Sequence, residues 1–69
     1  MNIIYDYTPL LNILYERGMT KSDLGEAANV GSNEIAKIAK KEPLKLANIA
    51  AICAYLDVPI ENVVQIRYK

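Results

Sequence analysis

A break in a helix-forming segment constrains the fold of this chain more than any other feature. Residues 24–38, LGEAANVGSNEIAKI, have the composition and apolar spacing of a helix but are interrupted at Asn29, Val30 and Gly31. Asn and Gly are poor helix formers, so one continuous helix is disfavoured here. The sequence therefore predicts two short helices that meet at a three-residue turn.

Two helices joined by so short a turn must cross steeply to share one core, and the residues around the break suit that geometry. Gly25 permits a close approach of the helices, which explains a glycine that costs roughly 1 kcal/mol of helix propensity. Asn29 favours a left-handed conformation at the helix end, and Val30 supplies an apolar side chain for the turn. Gly31 is an acceptable N-cap for the next helix.

The rest of the chain is patterned as short helices with a strand at each end. Residues 2–7 are β-branched and aromatic, and the tail from Val64 to Lys69 alternates apolar and polar side chains. Helix start and stop signals divide the middle into five helices. The predicted helices run from Pro9 to Gly18, Thr20 to about Ala28, Ser32 to Lys40 and Leu46 to Leu56, with a short fifth after Asp57 and Pro59 that holds Ile60, Val63 and Val64.

Individual residues support these boundaries. Thr8 is the expected N-cap of the first helix, with Pro9 in its first turn, and Gly18 is its expected C-cap. Thr20 is the expected N-cap of the second helix, and Asp23 stands where its carboxylate reaches back to the helix start. In the fourth helix, one apolar face is predicted from the three- and four-residue spacing of Leu46, Ile49, Ile52, Cys53 and Leu56.

These patterns predict an all-α domain of five helices with two short terminal strands, occupying residues 1–69 as a single domain. Hydrophobic residues make up 52% of the 69, enough for a core, although a domain of this size has a slim stability margin. A two-stranded ribbon is marginal alone. The strands therefore pair with each other and pack on the helices, or pack on a second subunit.

Charge and composition exclude several classes of protein. Eight basic residues balance eight acidic ones, which argues against a protein that coats nucleic acid nonspecifically, yet four lysines lie between Lys37 and Lys45. With no histidine and one cysteine, Cys53, a zinc site or disulfide framework is not expected. The start of the sequence lacks signal-peptide features, and no apolar run approaches about 20 residues, so we expect a cytoplasmic protein.

The segment MTKSDLGEAANVGSNEIAKI resembles the helix-turn-helix of the Cro-like phage repressor family (XRE-type regulators). The resemblance extends from LLNILYERGMTKSDL to LANIAAICAYLDVPIENVVQI. It implies a lambda-repressor-like fold and a sequence-specific transcriptional regulator, commonly a homodimer, without catalytic activity or cofactor. The chain departs from the family pattern at four positions. The family often has Gln at the position of Lys21 and often Ser at that of Gly31. It usually has Ala at the position of Gly25 and Gly at that of Asn29.

The resemblance also implies which residues bind double-stranded DNA, because the third helix of such a domain enters the major groove. Asn33 suits adenine, Ser32 suits several bases, and Lys37 suits guanine or phosphate. The DNA backbone would be contacted by Thr20, Lys21 and Ser22, and Lys45 is a further candidate for contact with a phosphate. The predicted DNA-binding set is Lys21, Ser22, Ser32, Asn33, Lys37, Lys40 and Lys41.

Structural alternatives stay open for these residues. Ser32 and Asn33 could instead accept hydrogen bonds from the backbone amides of the first helical turn. The lysines could simply form a solvent-exposed face. Glu34, at the third position of its helix, is best explained as a partner of the helix dipole. Cys53 fits a core position. The expected dimer interface is the exposed face of the strands and fifth helix, with Tyr5, Tyr7, Val64, Ile66 and Tyr68.

Two functions from different classes follow. The first is a sequence-specific DNA-binding regulator, most simply a repressor, that acts as a homodimer. The alternative is a protein-interaction module that keeps the fold without binding DNA, favoured by the zero net charge and by Glu34. An enzyme is not expected: the sequence offers no nucleophile–base pair, metal cluster or glycine-rich phosphate loop, and no small-molecule substrate is evident.

Overall fold

Two short strands bring the ends of the chain together in the computed structural model, which describes residues 2–69. The strands are antiparallel, with Ile3 opposite Tyr68 and Tyr5 opposite Ile66. The question that the sequence left open is therefore answered, because the strands pair within one chain. The elements, in order, are β1 (Ile3–Asp6), α1 (Thr8–Glu16), α2 (Lys21–Ala28), α3 (Ser32–Lys40), α4 (Leu46–Leu56), a 3₁₀ turn (Ile60–Asn62) and β2 (Gln65–Tyr68).

The domain is mostly helical, but the predicted fifth helix is a single 3₁₀ turn. The amide of Asn62 donates to the Pro59 carbonyl at 3.0 Å, and that of Val63 donates to Ile60 at 2.8 Å. Val63 is fully buried, and the chain must enter β2 two residues later. An α-helix has no room to form, so Val64, expected both in the fifth helix and in the terminal strand, lies between the 3₁₀ turn and β2.

The start of α1 differs from the prediction in detail. Thr8 is the first helical residue rather than the N-cap, and Tyr7 precedes it. The Asp6 carboxylate accepts hydrogen bonds from the Thr8 amide at 3.0 Å and from the Thr8 hydroxyl at 2.6 Å. Asp6, rather than Thr8, therefore supplies the side-chain acceptor at the start of α1, and the amide that it satisfies is that of Thr8 itself. The C-cap of α1 is Arg17 rather than Gly18, which follows it in the left-handed conformation with a φ of +66°.

The helix-turn-helix forms as the break in the sequence predicts. Thr20 and Asp23 form a reciprocal capping box at the start of α2, with both hydrogen bonds at 3.0 Å. Asn29 ends α2 in the left-handed region, at a φ of 58°. Val30 is buried beneath the turn, and its amide donates to the Gly25 carbonyl at 2.8 Å.

One hydrophobic core joins all the helices. It consists of Tyr7, Leu10, Leu14, Leu24, Val30, Ile35, Ile38, Leu44, Ile49, Ile52, Leu56 and Val63. Two expectations are corrected. Leu46, placed on the buried face of α4, is 72% exposed: it is the first residue of the helix and does not belong to the core. Tyr7, placed at an interface, is 2% exposed and donates its hydroxyl to the Glu42 carbonyl at 2.7 Å. Cys53 is half-buried at the edge of the core.

Gly25 lies where α2 and α3 come closest. A β-carbon at this position would lie 2.9 Å from Cγ1 of Ile35 and 3.0 Å from the Val30 carbonyl oxygen. Both distances are shorter than van der Waals contact, so an alanine would force the helices apart.

We predict that Gly25→Ala lowers the free energy of unfolding by about 1 kcal/mol. Overpacking costs roughly 1–3 kcal/mol, and the gain in helix propensity returns only about 1 kcal/mol of it. Gly31→Ser is the matched control: a β-carbon at Gly31 meets open space, and serine is a better N-cap by a few tenths of a kcal/mol. Urea denaturation measures both, and a Gly25→Ala variant as stable as wild type would contradict the prediction.

Candidate nucleic-acid interface

Helix α3 presents a polar face at its N-terminal end. Ile35 and Ile38 are buried against the core, whereas Ser32, Asn33 and Lys40 are exposed on the other side. Gly31, the N-cap, has a φ of −62° and no side chain to occupy the first-turn amides. The start of α3 therefore offers free backbone N–H groups and two short polar side chains to a ligand.

The start of α2 lies beside this face. Ser22 and Ser32 line one open cleft of about 300 Å³ between the two helices, together with Glu26. Ser22 is exposed and Lys21 is half-buried next to it, at the N-terminal end of α2. The structure therefore brings together the serines predicted on separate helices, but it also places a carboxylate at the same cleft.

Lys37 is not a free cation. Its Nζ lies 2.9 Å from the Glu34 Oε1, one turn earlier on α3, and its side chain is 37% exposed. Within residues 2–69, the other salt bridge joins Arg67 to Asp6 across the ribbon at 2.8 Å. The predicted contact of Lys37 with guanine or phosphate would therefore involve an ammonium group that is already paired with Glu34.

The remaining lysines follow α3 into an ordered loop. Lys40 and Lys41 are exposed, and Lys41 takes a left-handed conformation with a φ of 58° as α3 ends. The Glu42 amide donates to the Lys37 carbonyl at 3.0 Å. Lys45, also exposed, is the N-cap residue of α4. Three exposed lysines therefore lie at the end of α3 and in the loop that follows it.

Glu34 has a structural role that sequence reasoning recognised only in part. It stands in the first turn of α3, as expected for a partner of the helix dipole. Its Oε2 also accepts a hydrogen bond from the Lys45 amide, eleven residues away, at 3.2 Å. The three-residue spacing to Lys37 was a signal for the ion pair. Nothing in the sequence indicated the contact with Lys45.

The electrostatics of this cluster favour charged groups. The Lys37 ammonium, with further donors from Asn48 and Lys45, lowers the pKa of Glu34 to about 2. Glu34 in turn raises the pKa of Lys37 above its ordinary value. Both side chains are therefore fully ionised near neutral pH.

Residues 2–69 contain no cluster of three side chains suited to hold a metal ion. No helix in this range is long and apolar enough to cross a membrane.

Comparison with known proteins decides the family. The model of the Cro/C1-type HTH DNA-binding domain matches residues 10–66. The chain belongs to this family. The crystal structure of transcriptional regulator VanUg (Form II) is similar to this structure, with a TM-score of 0.92 and 29% sequence identity. The match covers the whole of this chain and 92% of the VanUg chain. No curated protein matches the sequence.

The family assignment gives the geometry its meaning. In helix-turn-helix domains the second helix of the motif enters the major groove, which makes the starts of α2 and α3 the candidate nucleic-acid interface of this chain. Members of this DNA-binding family are generally not enzymes.

Acid should weaken this domain partly through Glu34. Its pKa is 4.5 ordinarily and about 2 in the fold, so its charged-state contribution is complete above pH 4.5 and is lost as the pH falls toward 2. We predict that the urea midpoint of wild type falls more between about pH 7 and pH 3 than that of Glu34→Gln. Glu16→Gln removes the same charge from the exposed end of α1 and is the control; an identical pH response of Glu34→Gln and wild type would refute the prediction.

Proposed function

We propose that this Cro/C1-type domain is a sequence-specific transcriptional regulator that reads the major groove with α3 and acts in the cytoplasm as a homodimeric repressor. The observation that supports it most is the exposed start of α3, with Ser32 and Asn33, beside the start of α2. Repression follows most simply because occupation of an operator alone blocks other proteins, whereas activation needs a further contact.

Six of the seven predicted DNA-binding residues bond bases or phosphates in this proposal. The Asn33 side chain pairs with adenine through a donor and an acceptor, and Ser32 bonds an adjacent base edge. Lys21, Ser22 and the free amides of α2 hold a phosphate. Lys40 and Lys41 contact phosphates farther along the groove. Affinity thus comes from the lysines and amides, and sequence preference comes from the first turn of α3.

The apolar face of the ribbon is the proposed dimer interface. Ile3 and Tyr68 are 51% and 66% exposed, and Ile66 and Ile60 are each 46% exposed. With about 150–250 Å² per large side chain, these four expose roughly 400 Å². A stable interface buries about 800 Å² per partner, so they would form its centre with a polar rim.

A second copy of the chain suits this surface. Beside the ribbon face lies an apolar groove of about 320 Å³, lined by side chains that include Tyr5, Ile49 and Val64. The exposed Tyr68 lies on the same face of the ribbon as the groove. In a dimer with a two-fold axis, Tyr68 of each copy therefore packs against the groove of the other. Such a dimer holds two α3 helices for half-sites about 34 Å apart.

The alternative, a protein-interaction module with the same fold, also has an observation in its favour. Glu34 neutralises Lys37, and Glu26 lies in the cleft between α2 and α3, so carboxylates offset the positive charge of this surface. DNA binding is nevertheless the stronger proposal, because the family is a DNA-binding one and Lys40 and Lys41 remain exposed.

We predict that Asn33→Ala weakens binding to the preferred duplex about 5- to 150-fold and relaxes the choice of base at one position, because a bidentate base contact contributes about 1–3 kcal/mol. Selection from a random DNA pool identifies the duplex, and fluorescence anisotropy measures affinity. Asn12→Ala, at an exposed position on α1, is the matched control and should bind as wild type does.

The same assay separates the two functions. Lys40→Gln should weaken binding to all duplexes alike and reduce the salt slope by about one. A wild-type domain whose DNA affinity depends on neither sequence nor salt would instead support the interaction module.

We also predict that Ile66→Glu converts a dimer to a monomer, because it buries an unpaired charge at the interface. Sedimentation equilibrium reads the mass directly. Gln65→Glu introduces a carboxylate on the opposite face of β2 and should leave the dimer intact. A monomeric wild type at high concentration would rule out this interface.

A further inference from the structure

The carboxylate of Glu34 joins α3 to the end of the loop that follows it. One oxygen bonds the Lys37 ammonium on α3 at 2.9 Å, and the other accepts from the Lys45 amide, where α4 begins, at 3.2 Å. The Glu34 side chain is only 13% exposed, and its bond to Lys37 is partly buried, whereas its bond to the Lys45 amide lies at the surface. The same group therefore fixes a side chain of α3 and the end of the loop that carries Lys41.

An acid at this position is unexpected for affinity alone. DNA carries dense negative charge, and a carboxylate in the first turn of the reading helix repels phosphates. Pairing with Lys37 removes that repulsion, but it also cancels the charge of Lys37. The pair therefore adds little net charge to the surface. Any effect of the pair on DNA binding must come from something other than charge.

We propose that Glu34 is a positioning residue that holds Lys37 in one orientation, so that Lys37 contributes to the choice of sequence rather than to the strength of phosphate binding. This inference rests on the proposed function.

The chemistry of the ammonium group supports this role. Lysine has three N–H donors on a long flexible stem, and the bond to Glu34 occupies one of them. Two donors remain for a base edge. A tethered lysine reaches a limited set of acceptors, whereas a free lysine reaches a phosphate on any sequence.

The loop contact adds to the effect. Glu34 holds the Lys45 amide, and the Glu42 amide bonds the Lys37 carbonyl at 3.0 Å, so the loop is anchored to α3 at two points. Tyr7 holds it at a third, through the Glu42 carbonyl. Loss of the Glu34 charge thus leaves the loop in place, and its consequences fall mainly on Lys37.

The decisive test compares Glu34→Gln with the double variant Glu34→Gln/Lys37→Gln. Affinity for the selected duplex and for a scrambled duplex is measured at several salt concentrations. Glu34→Gln frees Lys37, so we expect several-fold tighter binding to the scrambled duplex, a salt slope steeper by about one, and a specificity ratio lowered about tenfold. Glu16→Gln, with the same charge change on α1, should leave the ratio and slope near wild type.

The double variant has the same net charge as wild type. We expect it to keep the wild-type salt slope while its specificity ratio stays low, a combination that a merely structural role for Glu34 does not produce. If Glu34→Gln unfolds, Lys37→Gln alone, which keeps the contact of Glu34 with Lys45, still tests the same loss of specificity.

Failure of this inference is distinct from failure of the proposed function. A wild-type domain with no sequence preference overturns both. If wild type discriminates between the duplexes and the variants discriminate equally well with unchanged slopes, only the role of Glu34 is overturned.

Discussion

The structure depends on the contact between α2 and α3 at Gly25. Because this residue has no β-carbon, Ile35 and the Val30 carbonyl approach within a distance that any side chain would obstruct. That approach buries Val30 and Ile35 in the core. It also fixes the angle at which the start of α3 projects from the domain. Gly25 also lines the cleft shared by Ser22 and Ser32, so the surface proposed to face DNA depends on this one small residue.

The charged side chains of the surface are arranged by local pairing, and neither positive nor negative charge is in excess. The chain has no net charge, yet the loop after α3 carries exposed lysines while Glu34 neutralises Lys37. A left-handed residue follows each of the four helices, and Lys41 is one of them, so the basic loop turns tightly against α3. A neutral domain can therefore present a positive edge to a phosphate backbone without coating DNA indiscriminately.

Local sequence signals predicted the helix-turn-helix well, because capping and turn chemistry act within a few residues. Thr20 with Asp23, and Asn29 at the helix end, are such cases. Predictions that depended on distant packing were less successful: the 3₁₀ turn replaced a helix because β2 must pair with β1, and Tyr7 is buried by the loop after α3. The contact of Glu34 with Lys45 likewise arises only in the fold.

The most direct test of the central claim is a titration of the ¹⁵N-labelled domain with its selected duplex, followed by backbone amide chemical shifts. If the bend at Asn29–Gly31 presents α3 to DNA, the largest changes will fall at Ser22, Ser32 and Asn33. Changes confined to the ribbon, around Tyr5 and Ile66, would show that another surface binds and would contradict the role assigned to α3.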